Sequence, residues 1–442
     1  VSTRTEALEA RQRKHILFTW SAQNTAAPVR IAGGHGAWFH DQDGRRTLDF
    51  ESQVFNCNIG HGQQAVTDAI ARQAAELACA HPAAVFEAKA ALGEKLAAIT
   101  PPGLDRFFLC LSGAEANENA LKMARVLTGR SKVIARRRSY HGASMGALSL
   151  TGDPRRWAGE PDLWGVVRTE DPYCYRCPFG QSYPGCGVRC AEHLEHVIQM
   201  EGPDRIAAVF MEGVTGANGG FIPPPEYWPR VRELCTKYGI LLVADEVFTG
   251  FGRTGKWFAI DHWGVTPDLM TLGKGLTSGY APLGAVALRN DLADRFGDKV
   301  LQCGLTHYAH PISCAAACAT LDTYVDQDLI GNSARLGPVL GELLAGLKAK
   351  HPQVVGDVRN LGLWGTLELV DDPTTRAPLV GYNQGPGVGT PAARFKALLA
   401  EKGLHILFKW NFLFVAPPLC IDERDLRHGL SLIDDALTEV FR

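Results

Sequence analysis

Asp245 and Lys274 are the residues of this chain whose types and places can do chemistry together. Asp245 closes the apolar run 240–244 and opens Asp245-Glu246-Val247-Phe248-Thr249-Gly250-Phe251-Gly252-Arg253-Thr254-Gly255; Lys274 stands in Thr271-Leu272-Gly273-Lys274-Gly275. A lysine amine can hold an aldehyde as a Schiff base, and a fixed carboxylate can keep a ring nitrogen protonated. One group that needs both is pyridoxal phosphate. An Asp-Glu pair after a strand, taken alone, often only caps a loop or a helix.

These residues need rigid elements to hold them. Residues 240–244 read as a buried parallel strand, and open α/β sheets place their ligands beyond the carboxyl ends of such strands. Residues 269–272 read as a second short strand. Apolar strands are also expected at 107–111, 132–135, 205–211 and 280–288. The first runs into Ser112-Gly113-Ala114-Glu115, a small-residue turn opening a helix, where backbone N–H groups and the helix dipole favour an anion. Helices are expected over 1–14, 66–78, 86–99, 227–238, 313–324, 329–350 and 392–402. Residues 29–50 read as a meander turning at Asp43-Gly44. Strands near 354–360, 363–369 and 404–408 complete an α+β C-terminal part. Its Pro/Gly-rich loop 371–391 holds the candidate mobile stretch 381–389.

With these motifs in view, the chain resembles the class III (omega) aminotransferases over nearly its whole length, including the separation of Asp245 from Lys274. The resemblance implies an α/β fold of type I for pyridoxal-phosphate-dependent transferases. It has a large domain with a mostly parallel central sheet and a small α+β domain formed by the N- and C-terminal segments. The divisions are 1–60, 61–324 and 325–442. It implies a homodimer binding pyridoxal 5'-phosphate. Lys274 then forms the Schiff base and shuttles the substrate proton, Asp245 holds the ring nitrogen, and Ser112, Gly113 and Ala114 take the phosphate. Tyr140, in Ser139-Tyr140-His141-Gly142, stacks on the ring, with His141 in support and Glu212 a neighbour. Val247, read as lying on the strand and facing the same way as Asp245, packs beneath the ring. Thr306, in Gly304-Leu305-Thr306, reaches the partner subunit's phosphate. Trp20, Phe55 and Lys409 are candidate substrate contacts; Trp20 has the alternative of anchoring the N-terminal arm.

The chain departs from the family's pattern in four places. Gly213 stands where proline is common, and Phe248 where glutamine is. Ala217 stands where the ornithine and 4-aminobutyrate branches carry a glutamate, which favours pyruvate over 2-oxoglutarate. Lys409 stands where related enzymes use arginine, either to bind a carboxylate or sulfonate loosely or as a solvated charge. Arg253 is expected to pair with a local acid. The implied reaction takes an amino group from an omega-amino acid or amine to a small 2-oxo acid. A decarboxylase or aminomutase is the rival on the same residues, and a catalytically dead scaffold is a further alternative. A nucleotide-binding Rossmann protein lacks its Gly-x-Gly-x-x-Gly here and leaves Lys274 unexplained.

With 442 residues, 46% of them hydrophobic, and a formal net charge of −2, the chain has ample core and no basic footprint for nucleic acid or an anionic membrane. No run reaches the roughly 18 apolar residues of a membrane span. Residues 1–14 lack a secretory apolar core, so a cytoplasmic protein is expected. Of 12 cysteines, Cys79, Cys110, Cys235, Cys314, Cys318 and Cys420 read as small core residues. Cys174, Cys177, Cys186 and Cys190, among prolines and glycines, have spacing that can hold structural zinc; a disulfide and free thiols are the alternatives.

Overall fold

The computed structural model describes residues 3–441. Three short strands, β1 (Gly33–His35), β2 (Trp38–His40) and β3 (Arg46–Asp49), form the expected meander. The next seven are β4 (Arg106–Cys110), β5 (Lys132–Arg136), β6 (Val166–Thr169), β7 (Ile206–Glu212), β8 (Leu241–Asp245), β9 (Leu269–Leu272) and β10 (Gly284–Leu288). They make one sheet in the order β4-β10-β9-β8-β7-β5-β6. From β6 through β9 all pairings are parallel; β10 runs antiparallel to both β9 and β4. Residues of β7 are buried throughout, the signature of a strand covered on both faces. β6, half-buried and short, was not foreseen.

Register matters here more than strand count. Glu212 lies opposite Asp245, and Asp245 opposite Thr271, so three polar side chains form a row at the carboxyl ends of β7, β8 and β9.

The C-terminal strands are β11 (Val355–Leu361), β12 (Trp364–Asp372), β13 (Ala377–Pro378), β14 (Leu404–His405), β15 (Leu407–Lys409) and β16 (Phe412–Val415). The single strand expected over 404–408 is two. β14 joins the N-terminal sheet, parallel to β3 with Leu404 against Leu48, while β15 joins the antiparallel β11-β12-β16-β15 sheet. The first and last parts of the chain therefore share a sheet.

The helix Leu329–Lys350 follows its expected bounds, as does Tyr227–Tyr238. The N-terminal helix Arg4–His15 opens on a Thr3–Glu6 capping box; Val1 and Ser2, expected within it, lie outside the described residues. Among the helices that the sequence reading does not include are two long ones, Arg189–Glu201 and Glu423–Val440. The latter carries an apolar stripe of Leu426, Leu430, Ile433 and Leu437 at helical spacing. Cys110, Cys235 and Cys314 are core residues as expected; Cys79 is exposed, because the chain has already left the helix Gln64–Glu76. No helix of the described residues is long and apolar enough to cross a membrane.

Among the described residues Arg253 pairs with no acid, contrary to expectation. It is wholly buried and donates to the Leu363 carbonyl (3.2 Å), the Pro417 carbonyl (2.6 Å), the Ser52 hydroxyl (3.1 Å) and Asn58 Oδ1 (2.8 Å). One guanidinium thus ties the glycine-rich turn after β8 to both ends of the chain. Replacing it, Arg253→Met, strips the donor from four buried acceptors and is expected to destabilise the fold by about 3 kcal/mol or more, seen as an earlier urea midpoint.

Candidate functional site

Asp245 ends β8 almost fully buried. Its Oδ1 accepts from the Val247 N–H (3.0 Å), and its Oδ2 from Asn117 Nδ2 (2.8 Å) and His141 Nδ1 (2.7 Å). Asn117 is itself fixed, donating to the His141 carbonyl and accepting from the Thr271 hydroxyl. The carboxylate is aimed by neighbours from β9, from the helix Gly113–Thr128 and from the segment after β5. Val247 is not on the strand. β8 stops at Asp245, and Val247 sits in the turn that follows, its N–H folded back onto the carboxylate.

Ser112 caps the helix Gly113–Thr128, its hydroxyl accepting from the Glu115 N–H (3.2 Å). A Cβ on Gly113 would lie 2.5 Å from Val247 Cγ1. Only glycine lets the helix start come this close to the turn carrying Asp245. Gly142, with φ of +138°, packs its bare Cα onto Ala114 in the same way.

Lys274 follows β9 with φ of +42°, a costly conformation for a lysine and one of the kind that clusters at functional sites. Its amine lies 5.1 Å from the Phe248 ring centroid and 5.6 Å from that of Phe55. Removal from water pushes it down to about 8, against the opposing pull of Asp245 and Glu212. Phe55 reaches this place through a left-handed turn: Ser52, Gln53, Val54 and Phe55 all have positive φ. Ser52 anchors the turn by donating to the Ala416 carbonyl (2.6 Å). Phe55 then meets Phe248 and Trp364 edge-on.

One face of Tyr140 is covered by Arg155, whose guanidinium carbon is 3.6 Å from the ring centroid. Arg155 is bidentate to buried Asp153 and lies 5.4 Å from the exposed Trp20 ring. Lys409 shares the same carboxylate: its Nζ is 3.2 Å from Asp153 Oδ2, 2.7 Å from Asn218 Oδ1 and 4.1 Å from the Trp410 ring centroid. It is no solvated charge; burial pushes it down to about 8. Arg155, Asp153 and Asn117 were not anticipated. The Asp153-Pro154-Arg155 helix-opening turn was the available signal, but nothing local told that its aspartate would meet a lysine far along the chain.

Glu212 accepts from the Gly216 N–H (3.1 Å) and is pushed up to about 6 by burial. Thr306 is exposed, in a segment whose Leu305 and Tyr308 pack beside Phe108, rather than among the residues around Asp245. The four loop cysteines line one cavity of about 20 Å³, room for about one water. All four are free thiols, and among the described residues no three His, Cys, Asp or Glu side chains are placed to hold a metal. The zinc reading finds no ligand set. Ion pairing of Arg176 with Glu368 (2.8 Å) and stacking of Tyr173 on Phe221 tie the loop down instead.

A buried carboxylate, a lysine of lowered basicity and a helix start pared to glycine fit pyridoxal phosphate: Asp245 would meet the ring nitrogen, Lys274 the aldehyde and Ser112–Ala114 the phosphate. When bound, that group draws electrons from the substrate carbon whose proton is removed. Fold and site together define a pyridoxal-phosphate-dependent transferase of fold type I. The family described as aminotransferase class-III matches residues 19–437, and the chain belongs to it; it is a pyridoxal-phosphate-dependent aminotransferase. It is 34% identical to a taurine–pyruvate aminotransferase of Bilophila wadsworthia, covering 98% of this chain and 97% of the relative. It is likewise 34% identical to an omega-aminotransferase of Caulobacter vibrioides, over 96% of each. A crystal structure of a taurine:2-oxoglutarate aminotransferase from Bifidobacterium kashiwanohense, in complex with PLP and glutamate, superposes with a TM-score of 0.94. The identity is 35%, over 100% of this chain and 99% of that one.

In the protein freed of cofactor, Lys274 is expected to capture pyridoxal phosphate faster as pH rises through about 8, where its amine loses its proton. Borohydride trapping and peptide mass spectrometry at each pH check this. Lys274→Ala should leave that peptide unlabelled and lower turnover by about 10²-fold or more. Because the folded value lies below that of a free lysine, the unfolded chain holds the extra proton between about 8 and 10.4. This group's contribution to stability therefore rises across that window.

Proposed function

We propose that the enzyme moves an amino group from an omega-amino acid or amine, its far end carrying a carboxylate or sulfonate, to a small 2-oxo acid, pyruvate ahead of 2-oxoglutarate. The observation that carries this reading is the Arg155–Asp153–Lys409 trio. Two cations share one buried carboxylate, leaving a net positive charge against Tyr140 and near enough to Lys274 to act on its basicity. An anionic tail there puts the amine end toward Lys274. Arg155 suits the task because its planar fork binds carboxylate and sulfonate oxygens in pairs. The names of the taurine-using relatives agree with such a tail.

Pyruvate needs only this one anion site. Ala217, partly buried against the aromatic cluster of Phe221 and Phe412, brings no glutamate to gate a second. A specific observation favours 2-oxoglutarate as the second reading. Arg138 lies 4.6 Å from the Tyr382 ring centroid and 5.1 Å from that of Trp410, donating through Nε to the Asn218 carbonyl and forming no ion pair among the described residues. We also infer a homodimer in which exposed Thr306 serves the partner subunit's cofactor phosphate.

In donor half-reactions followed by cofactor absorbance, Arg155→Leu is expected to lower kcat/KM for taurine and β-alanine about 30-fold or more. A neutral-tailed amine such as 1-phenylethylamine should change little. Equal losses on both donor types would remove the anion role. In the acceptor half-reaction, pyruvate should restore the cofactor faster than 2-oxoglutarate; if 2-oxoglutarate is faster and Arg138→Met abolishes the difference, the second reading replaces the first. Release of carbon dioxide or an isomerised donor without amino transfer would favour the decarboxylase or aminomutase. Thr306→Val should loosen cofactor retention in a species that runs as a dimer in native mass spectrometry.

A further inference from the structure

Beside Asp245 lie buried polar groups whose hydrogen bonding is incomplete. His141 spends Nδ1 on Asp245, and its Nε2 has no protein partner. Glu212 spends Oε1 on the Gly216 N–H, and its Oε2 has none either. Both residues are almost wholly buried, and Glu212 is the register partner of Asp245. Deeper still, Arg136 donates to the Glu212 carbonyl (2.6 Å), with Nε 3.9 Å from Asp171 Oδ1. Arg136 Nε and Nη1 and Asp171 Oδ1 are also without hydrogen-bond partners. Five such atoms in one buried place are not an accident of packing, since buried polar groups are almost always satisfied.

The chemistry of imidazole narrows how they are satisfied. Asp245 collects three donors and acts as an acceptor, so His141 Nδ1 carries a proton. Nε2 is then an acceptor if the ring is neutral and a donor if it is cationic. A carboxyl group matches it both ways, as acid to the neutral ring and as carboxylate to the cation.

We propose that Glu212 Oε2 and His141 Nε2 hold one proton between them, directly or through a bound water, and that this pair sets the charge Asp245 presents to the cofactor ring. In one form the proton is on Glu212 and the ring is neutral. In the other the O–H bond has broken, an Nε2–H bond has formed, and a carboxylate faces an imidazolium. Both forms are neutral overall, so Asp245 is shielded from a second bare negative charge one strand away. Burial favours the acid form of Glu212 and supports this assignment, while His141, Arg136 and Asp245 are the charges acting on it. Asp171, itself pushed up to about 6 by burial, and the Tyr227 hydroxyl lie against Arg136 rather than the pair, and Glu212 in turn acts on Lys274. Glu246 is not part of the set; its carboxyl is occupied by the Thr249 hydroxyl and the N–H groups of Ala259 and Ile260. Glu212 is thus a positioning residue acting through His141, whatever donor the enzyme takes.

The test reads the pair in the protein freed of cofactor and in the holoenzyme. With 15N-labelled histidine, His141 Nε2 in the wild-type apoprotein should show a titration that moves down by at least one pH unit in Glu212→Gln. The infrared band of a buried carboxylic acid should vanish in the same variant. In the holoenzyme, the pH midpoint of the cofactor's absorbance should shift by a similar amount. There kcat should fall about tenfold, KM for the donor should stay within threefold, and Glu212→Asp should restore part of the midpoint. An unchanged His141 titration in Glu212→Gln overturns the proposal. Should that variant fail to fold, an ionised Glu212 beside a neutral His141 in the wild-type apoprotein at pH 7, read from carboxyl 13C and imidazole 15N shifts, overturns it equally. Neither result bears on the choice of donor or acceptor, which the half-reactions decide.

Discussion

The hydrogen bonds that hold Asp245 are the constraint the rest of the molecule serves. A carboxylate at the buried end of a strand is strongly disfavoured unless donors satisfy it, and a low-dielectric setting magnifies both that penalty and the attraction for a ring cation. Three donors meet it, one from its own turn, one from the helix after Ser112 and one from the loop after β5. None of them is near the others in sequence. Thr271 of β9 fixes Asn117 beside the carboxylate, the sheet order sets the loop after β5 on the other side of β7 from β8, and the glycine at 113 sets how closely the helix can approach.

Several residues of the site also carry backbone strain. Lys274, the run Ser52–Phe55 and Trp410 all adopt left-handed backbone conformations that side-chain-bearing residues avoid. Each is over-determined by its surroundings. Ser52 is held by the Ala416 carbonyl and Arg253, and Trp410 packs against Lys409 and Tyr382. Rigid elements that can bear such conformations are what allow a reactive amine to stand in an aromatic pocket in place of solvent.

Much of this was legible in the chain. Buried parallel strands such as β8 and β9 are nearly continuous apolar runs, and the residues just past them, Asp245 and Lys274, could be read straight off their ends. Helix Leu329–Lys350 announced itself by length and by the proline that follows. What escaped reading depends on contacts between distant segments. Lys409 was legible as a basic residue, but its engagement with Asp153 was not, because no local pattern joins those positions. Val247 was misplaced by one assumption, that the strand continued past its aspartate; the turn that ends it is dictated by the carboxylate's own need for an N–H. The division of 404–408 between two sheets likewise follows from which neighbours are waiting, not from the residues themselves.

The shared sheet of β3 and β14 has a consequence for how the protein is made. A ribosome releases the β1–β3 meander first, and the strand that completes its edge emerges only some 350 residues later (404 − 49), after the large sheet has been made. Until then β3 has an open edge, the kind of surface that recruits chaperones or mispairs with a neighbouring chain. Closure of this sheet is thereby tied to synthesis of the segment after β13, and a product cut short before Leu404 keeps the edge of β3 bare.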